Sequence, residues 1–223
     1  MECALIAFAK PPVPGAVKTR LTPFLTPEEA ARLYQAFLAD SLEQYAQLDV
    51  PVRLYWAGGR ETLPREISLC GASVHEQLGA DLAARMHAAF VESFQAGFRR
   101  VVIIGTDNPT LPTKYVRFAF EALTKADAVV VGPSDDGGYY LLGMTRFYPV
   151  LFQGMRYSHA RVFDETLYRA EQTPAHITVL PRWYDVDTKE AFSQLREDLK
   201  DEMIRASHTR RIVATLEGRL KAG

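Results

Sequence analysis

The sequence predicts an α/β domain in which a mostly parallel central sheet is covered by helices on both faces. Short apolar runs rich in β-branched residues recur along the chain, among them CALIAF (3–8), RVVIIG (100–105) and ADAVVVG (126–132). Segments with apolar residues at helical spacing separate them, the alternation that connects parallel strands. Several runs also lack alternating polar positions, as expected of strands covered on both faces. At 223 residues the chain suits one such domain, since domains cluster near ~100–200 residues.

CALIAF reads as the first strand, followed by a proline-rich loop. A helix opens at TPEE, where Thr26 can cap, Pro27 suits the first helical position and Glu29 stands where a capping box takes an acid. Ala30, Leu33, Tyr34, Phe37, Leu38, Leu42 and Tyr45 continue its apolar stripe. PVRLYWA (51–57) and GASVHEQ (71–77) read as strands, and residues 81–95 as a helix ended by Gly97. RVVIIG is the clearest strand, closed by glycine and followed by the polar loop TDNP. Residues 113–124 read as a helix and ADAVVVG as another buried strand. The turn SDDGG (134–138) lies between apolar runs and joins AVVVG to YYLLG by a tight reversal. A helix from His159 to Glu171, a strand at HITVL (176–180) and two C-terminal helices complete the chain.

With 48% hydrophobic and 24% charged residues, the composition is that of a soluble globular protein. A formal net charge of −1 gives no global attraction to nucleic acid or anionic membranes, so an anion site requires a local cluster of cations. Cys3 and Cys70 have no paired spacing, which argues against a disulfide framework or structural zinc and fits a reducing compartment. The first apolar run is too short for a signal peptide or a span, and a cytoplasmic location is expected.

Ligands of open parallel sheets bind beyond the carboxyl ends of the strands, so the loops there are the ones to inspect. The first, FAKPPVPGAVKTRL (8–21), holds three prolines, Gly15 and the cations Lys10, Lys18 and Arg20. A nucleotide-triphosphate P-loop would need glycine where this chain has Val17 and Pro12. The cations can still hold phosphate oxygens, with backbone N–H groups near Gly15 assisting. Equally, they can be solvated charges on a stiff loop, and Pro11 to Pro14 match a PxxP ligand.

The other loops carry acids. Asp107, in GTDNPTLP (105–112), is placed to hold Mg²⁺, or to form an Asx-turn ahead of Pro109. Asp187, in YDVDT (184–188), reads first as the N-cap of a capping box completed by Glu190; the nearby Asp185 and the need for a second metal ligand offer the other reading. Asp135 and Asp136 suit a hairpin turn, yet adjacent carboxylates repel unless a cation or substrate sits nearby. Of the histidines, only His159 stands in a candidate turn. Arg205, Arg210, Arg211, Arg219 and Lys221 read as the wet face of a terminal helix, or as a partner contact.

In this order FAKPPVPGAVKTRLTP, QLGADLAARM, GTDNPTLP, GPSDDGGYYLLG and YDVDT resemble the DUF2064, or glycosyltransferase-like, family of the nucleotide-diphospho-sugar transferase (GT-A) superfamily. The likeness implies a Rossmann-like GT-A fold over residues 1–200, with 201–223 as a C-terminal helical extension. The chain is more distantly similar to 2-phospholactate guanylyltransferase and the molybdenum-cofactor nucleotidyltransferases. That similarity implies Mg²⁺ (or Mn²⁺) on Asp107 with a second contact from Asp187, and phosphates on Lys10, Lys18 and Arg20. Phe8, Gly15, Gln77, Gly79 and Thr106 would then line the nucleotide, Gln77 and Gly79 near base or ribose. Asp135, Asp136, Gly137, Gly138, Tyr139 and His159 would face the acceptor, with Lys18, Arg20 and Asp136 as catalytic groups. The resemblance has one departure: where relatives usually read tryptophan followed by serine or threonine, this chain reads Met155, Arg156, Tyr157, Ser158.

The expected activity is Mg²⁺-dependent transfer from an activated nucleotide to a small-molecule acceptor, without nucleic acid or membrane partners. Nucleotidyl transfer from a nucleoside triphosphate is the first reading. Glycosyl transfer from a nucleotide-sugar and a nucleotide-binding module without turnover are the alternatives.

Overall fold

The computed structural model describes residues 2–157 and 159–222, with the side chains of all but 220–222. The sequence-based reading of Ser158 and of the Lys221 side chain therefore lies outside the described residues. Seven strands form one sheet in the order β3-β2-β1-β4-β6-β5-β7. They are β1 (Cys3–Ala9), β2 (Val52–Trp56), β3 (Ser73–Glu76), β4 (Arg100–Ile104), β5 (Ala128–Pro133), β6 (Tyr139–Met144) and β7 (His176–Val179). All neighbours pair in parallel except β6, which is antiparallel to both β4 and β5. The SDDGG reversal is the cause: a short turn can return a strand only antiparallel, whereas each parallel connection needs a crossover.

The helices are α1 (Pro27–Tyr45), α2 (Leu82–Gln95), α3 (Thr113–Ala122), α4 (Val162–Glu171), α5 (Lys189–Asp198) and α6 (Ser207–Ala222). The capping box at the start of α1 forms as the sequence predicts, Thr26 accepting from Glu29 N–H and Glu29 from Thr26 N–H. Asp81 caps α2 through Ala84 N–H at 2.8 Å. Two starts differ from expectation. α4 begins at Val162 and leaves His159 in the preceding turn. α5 is capped by Thr188, whose hydroxyl accepts from Ala191 N–H, so the expected N-cap role of Asp187 is wrong. The Thr188 hydroxyl satisfies the orphan donor of the first turn, which releases the Asp187 carboxylate for another partner.

Residue alternation along the strands divides the core in two. Leu5, Ala7, Leu54, Val102 and Ile104 pack with Leu38 and Leu42 of α1 and Val116 and Ala119 of α3. Ala4, Ile6, Val101 and Ile103 point the other way, to Met86, Ala89 and Phe90 of α2. A third cluster joins the loop after β1 (Val17, Leu21, Leu25) to α1, α5 and α6. The C-terminal arginines are not simply a wet face. Arg210 donates to the carbonyls of Leu199, Asp201 and Ile204, and Arg219 pairs with Glu29 and donates to the Phe24 carbonyl. No helix among the described residues is long and apolar enough to cross a membrane.

Candidate functional site

The ends of β1 and β4, the start of β6 and the segments after β5 and β7 meet at one end of the sheet, beyond the carboxyl ends of its parallel strands. The loop after β1 turns Val17 and Lys18 inward, and Lys18 does so with φ 49° and ψ 36°. A left-handed backbone costs a residue with a Cβ roughly 1–2 kcal/mol, so surrounding contacts must enforce it. They are visible: Lys18 Nζ lies 2.5 Å from Asp107 Oδ1 and 2.9 Å from Asp187 Oδ1, above the rings of Phe37 and Tyr34. Burial would lower the Lys18 pKa, but the two carboxylates outweigh it and hold the ammonium above the ordinary lysine range. The lysine side chain is 2% exposed whereas the carboxylates are 39% and 40% exposed. The acids therefore face solvent and the cation stands behind them.

Backbone bonds fix these acids in place. The Asp107 carbonyl accepts from Val186 N–H at 3.1 Å, which ties the loop after β4 to YDVDT. Asn108, buried beside it, donates its amide to Asp185 Oδ1 at 3.2 Å. Burial, then the charge of Asp107, pushes Asp185 up to about 7. Burial acts upward on Asp187 too, but the charge and hydrogen bond of Lys18, with Arg20 and Lys10 beyond, hold it below the usual carboxylate range. One cluster thus contains carboxyls pushed in opposite directions, a pattern concentrated at functional sites.

On the opposite side, SDDGG is a built turn. Asp136 Oδ1 accepts from the Ser134 hydroxyl and from Gly138 N–H. Gly137 has φ +87°, and a Cβ there would run into the Ala160 carbonyl. Its own carbonyl accepts from Phe163 N–H at 2.8 Å, seating the turn on the start of α4. The Tyr139 and Tyr157 hydroxyls lie 2.8 Å apart, and burial, then Tyr157, raises the Tyr139 pKa well above the ordinary value. Of Met155, Arg156 and Tyr157, it is Tyr157 that reaches the cavity wall.

A cavity of about 440 Å³ lies between the two sides. Of the predicted residues, Phe8, Arg20, Asp107, Asp136, Gly138, Tyr139, His159 and Asp187 line it. Lys10, Gly15, Lys18, Gln77, Gly79, Thr106, Asp135 and Gly137 stand outside that lining. Several of these are engaged elsewhere. Gln77 donates its amide to the carbonyls of Ala9 and Tyr55, bridging the ends of β1 and β2. The Thr106 hydroxyl donates to the Phe8 carbonyl at 3.4 Å and lies 3.3 Å from Tyr34 OH, which accepts from Lys10 N–H. Sequence reasoning missed Ser134, Tyr34 and the apolar wall of Leu82 and Met86, because nothing in their local patterns separates them from turn or core residues.

Could the site hold a divalent cation? The oxygens of Asp107 and Asp187 already converge on one positive centre, the Lys18 ammonium, and hard oxygen donors of this kind suit Mg²⁺ or Mn²⁺. Asp40, Glu43 and His208 form a second group whose ligand atoms lie within 4.8 Å of one another. Both Asp40 oxygens there accept backbone N–H groups, from His208 at 3.0 Å and Thr209 at 2.7 Å. Asp40 thereby caps α6 from across the helix interface.

Residues 39–159 match the family model described as "Uncharacterized protein conserved in bacteria (DUF2064)". A candidate nucleotide-diphospho-sugar transferase from Desulfovibrio desulfuricans G20 is 32% identical, covers 100% of this chain and 98% of its own, and superposes with a TM-score of 0.90. CMP:2-keto-3-deoxy-manno-octonic acid synthetase, solved with CTP, shares the fold at 10% identity and a TM-score of 0.57, over 91% of this chain and 100% of its own. So does Rv0371c from Mycobacterium tuberculosis H37Rv, solved with manganese, at 18% identity and 0.51, over 88% and 99%. No curated protein matches the sequence.

Proposed function

This chain belongs to the DUF2064 family of bacterial proteins, and we propose that it is a transferase acting on a nucleotide-activated donor, with nucleotidyl transfer as its reaction. The observation that carries the reading is the convergence of Asp107 and Asp187 on one cation at the strand ends, beside an arginine that lines the cavity. The relative solved with CTP has the same fold, which makes a nucleoside triphosphate the first donor to test.

In this reading a phosphate or hydroxyl oxygen of the acceptor attacks the α-phosphorus of a nucleoside triphosphate. The new O–P bond forms as the bond to the β-phosphate oxygen breaks, and pyrophosphate leaves. Asp107 and Asp187 would hold Mg²⁺ or Mn²⁺, which supplies Lewis-acid charge to the phosphate oxygens when bound. Arg20 faces the same space and offsets charge on the leaving group, an electrostatic contribution whose loss costs on the order of 10²-fold in rate. Asp136, its Oδ1 fixed by two donors, orients a hydroxyl acceptor and takes its proton. Tyr139 and Tyr157 form the wall beside it.

A second reading is glycosyl transfer from a nucleotide-sugar, favoured by the name of the 32%-identical relative. The products separate the two. Each nucleoside triphosphate, incubated with Mg²⁺ and a pool of phosphorylated metabolites, should release pyrophosphate. Nucleoside diphosphate release from a panel of nucleotide-sugars, with no pyrophosphate from any triphosphate, would replace the first reading by the second. Nucleotide binding without either product, unchanged in Asp107→Ala, would leave a binding module.

A further inference from the structure

Lys18 belongs to the stretch whose cations the sequence assigns to phosphates, but its placement does not suit that task. Its side chain is 2% exposed and absent from the cavity lining, whereas Arg20, two residues on, lines the cavity. A phosphate in the cavity meets Asp107 and Asp187 first, because their carboxylates stand between it and the ammonium. The chain also adopts a left-handed backbone at Lys18, a conformation that favours glycine, to bring this side chain inward. What the position contributes is therefore a positive charge under the carboxylate pair.

We propose that Lys18 is a positioning residue, a resident counter-cation that holds Asp107 and Asp187 together and that a divalent ion must displace from them. The inference rests on the reading of these two acids as the cation's ligands. Two carboxylates this close repel each other unless a positive charge lies between them, and Lys18 supplies it before any ligand arrives. The same charge opposes a bare divalent ion, since a buried ammonium beside the ion adds like-charge repulsion in a poorly screened place. A nucleotide brings negative phosphates that compensate the extra charge. Metal and nucleotide binding are therefore positively coupled through Lys18, and the protein without nucleotide binds metal weakly.

The probe is Mn²⁺ alone, its free fraction read by electron paramagnetic resonance in titrations of the full chain without nucleotide. Lys18→Gln, which keeps a hydrogen-bond donor and removes the charge, should bind Mn²⁺ about tenfold tighter or more than the wild type. Lys18→Arg, which keeps the charge, should stay weak. Equal or weaker binding by a folded Lys18→Gln overturns the inference. The wild type gives an independent measurement, should the variant not fold. Acetylation footprinting should find Lys18 protected in the metal-free protein and increasingly modified as Mn²⁺ saturates it, and unchanged protection at saturation overturns the inference. Adding Asp107→Asn tests the underlying reading separately. Mn²⁺ affinity that survives it places the ion elsewhere and removes both reading and inference, whereas its loss beside an unaltered Lys18→Gln affinity removes the inference alone.

Discussion

Lys18 Nζ lies 2.9 Å from Asp187 Oδ1, a contact made across 169 residues of sequence. It exists because Thr188, one residue later, caps α5 and leaves the Asp187 carboxylate free to turn toward the loop after β1. Two neighbouring side chains thus do separate work, and substitution should separate them. Thr188→Ala should cost about 1 kcal/mol, the usual loss for an N-cap, with Mn²⁺ affinity unchanged. Asp187→Asn should leave α5 capped and weaken Mn²⁺ binding by roughly tenfold or more, through loss of a charged ligand. Urea denaturation and Mn²⁺ titration of both variants check this; loss of metal binding in Thr188→Ala would mean that cap and ligand cannot be separated.

Much of the frame was legible in the sequence because β-branched runs closed by glycine or turn residues have few other readings. RVVIIG, ADAVVVG and the TPEE capping box all form where their patterns place them. Asp187 was harder, since the DTKE spacing completes a capping box only with Asp187 as N-cap, whereas the helix starts one residue later on Thr188, itself a good cap residue. Lys18 was harder still. Its cation-rich surroundings suggested phosphate, and only the left-handed turn at Lys18 and acids more than eighty residues away decide that it points inward. Strand order was not readable beyond the hairpin, because which strands the β5–β6 pair inserts between depends on packing over the whole sheet.

Asp136 offers a test of turn against chemistry. Its Oδ1 accepts from Ser134 and Gly138, bonds that an asparagine carbonyl can reproduce. Asp136→Asn should therefore unfold within about 0.5 kcal/mol of the wild type, while turnover falls on the order of 10²-fold or more through loss of the base. Asp136→Ala should lose both. Near-wild-type turnover in Asp136→Asn, in whichever product assay reports activity, would return the residue to a turn-forming role.

The His75 ring stacks on Tyr55 with centroids 5.0 Å apart. Burial, then the Arg53 charge, lowers its pKa below the ordinary histidine value. The unfolded chain takes up this proton near pH ~6.5, before the folded protein does. Stability linked to His75 is therefore full above that pH and declines as pH falls through it toward the folded value. His75→Phe keeps a ring on Tyr55 and cannot titrate, so its urea midpoint should fall less between pH ~7.5 and ~5.5 than that of the wild type. Parallel declines would place the acid sensitivity elsewhere.

Asp40 decides between two uses of one cluster. With Glu43 and His208 it could hold a metal ion, but its buried carboxylate already accepts the N–H groups of His208 and Thr209 in the first turn of α6. Those are orphan donors of a helix start, and leaving them unpaired in a buried place is costly. Asp40→Ala should therefore cost about 2 kcal/mol, with hydrogen-exchange protection falling selectively across residues 207–216, where Val213 and Leu216 reach the third core cluster. Mn²⁺ affinity should be unchanged, because the ion's proposed ligands are Asp107 and Asp187. If instead the cluster holds the ion, Asp40→Ala must abolish Mn²⁺ binding while Asp107→Asn leaves it intact, and saturating Mn²⁺ must raise the stability of the wild type but not of Asp40→Ala. Measuring stability and metal affinity in the same variants assigns the acid to one role, since a helix cap and a metal ligand predict opposite responses to the added ion.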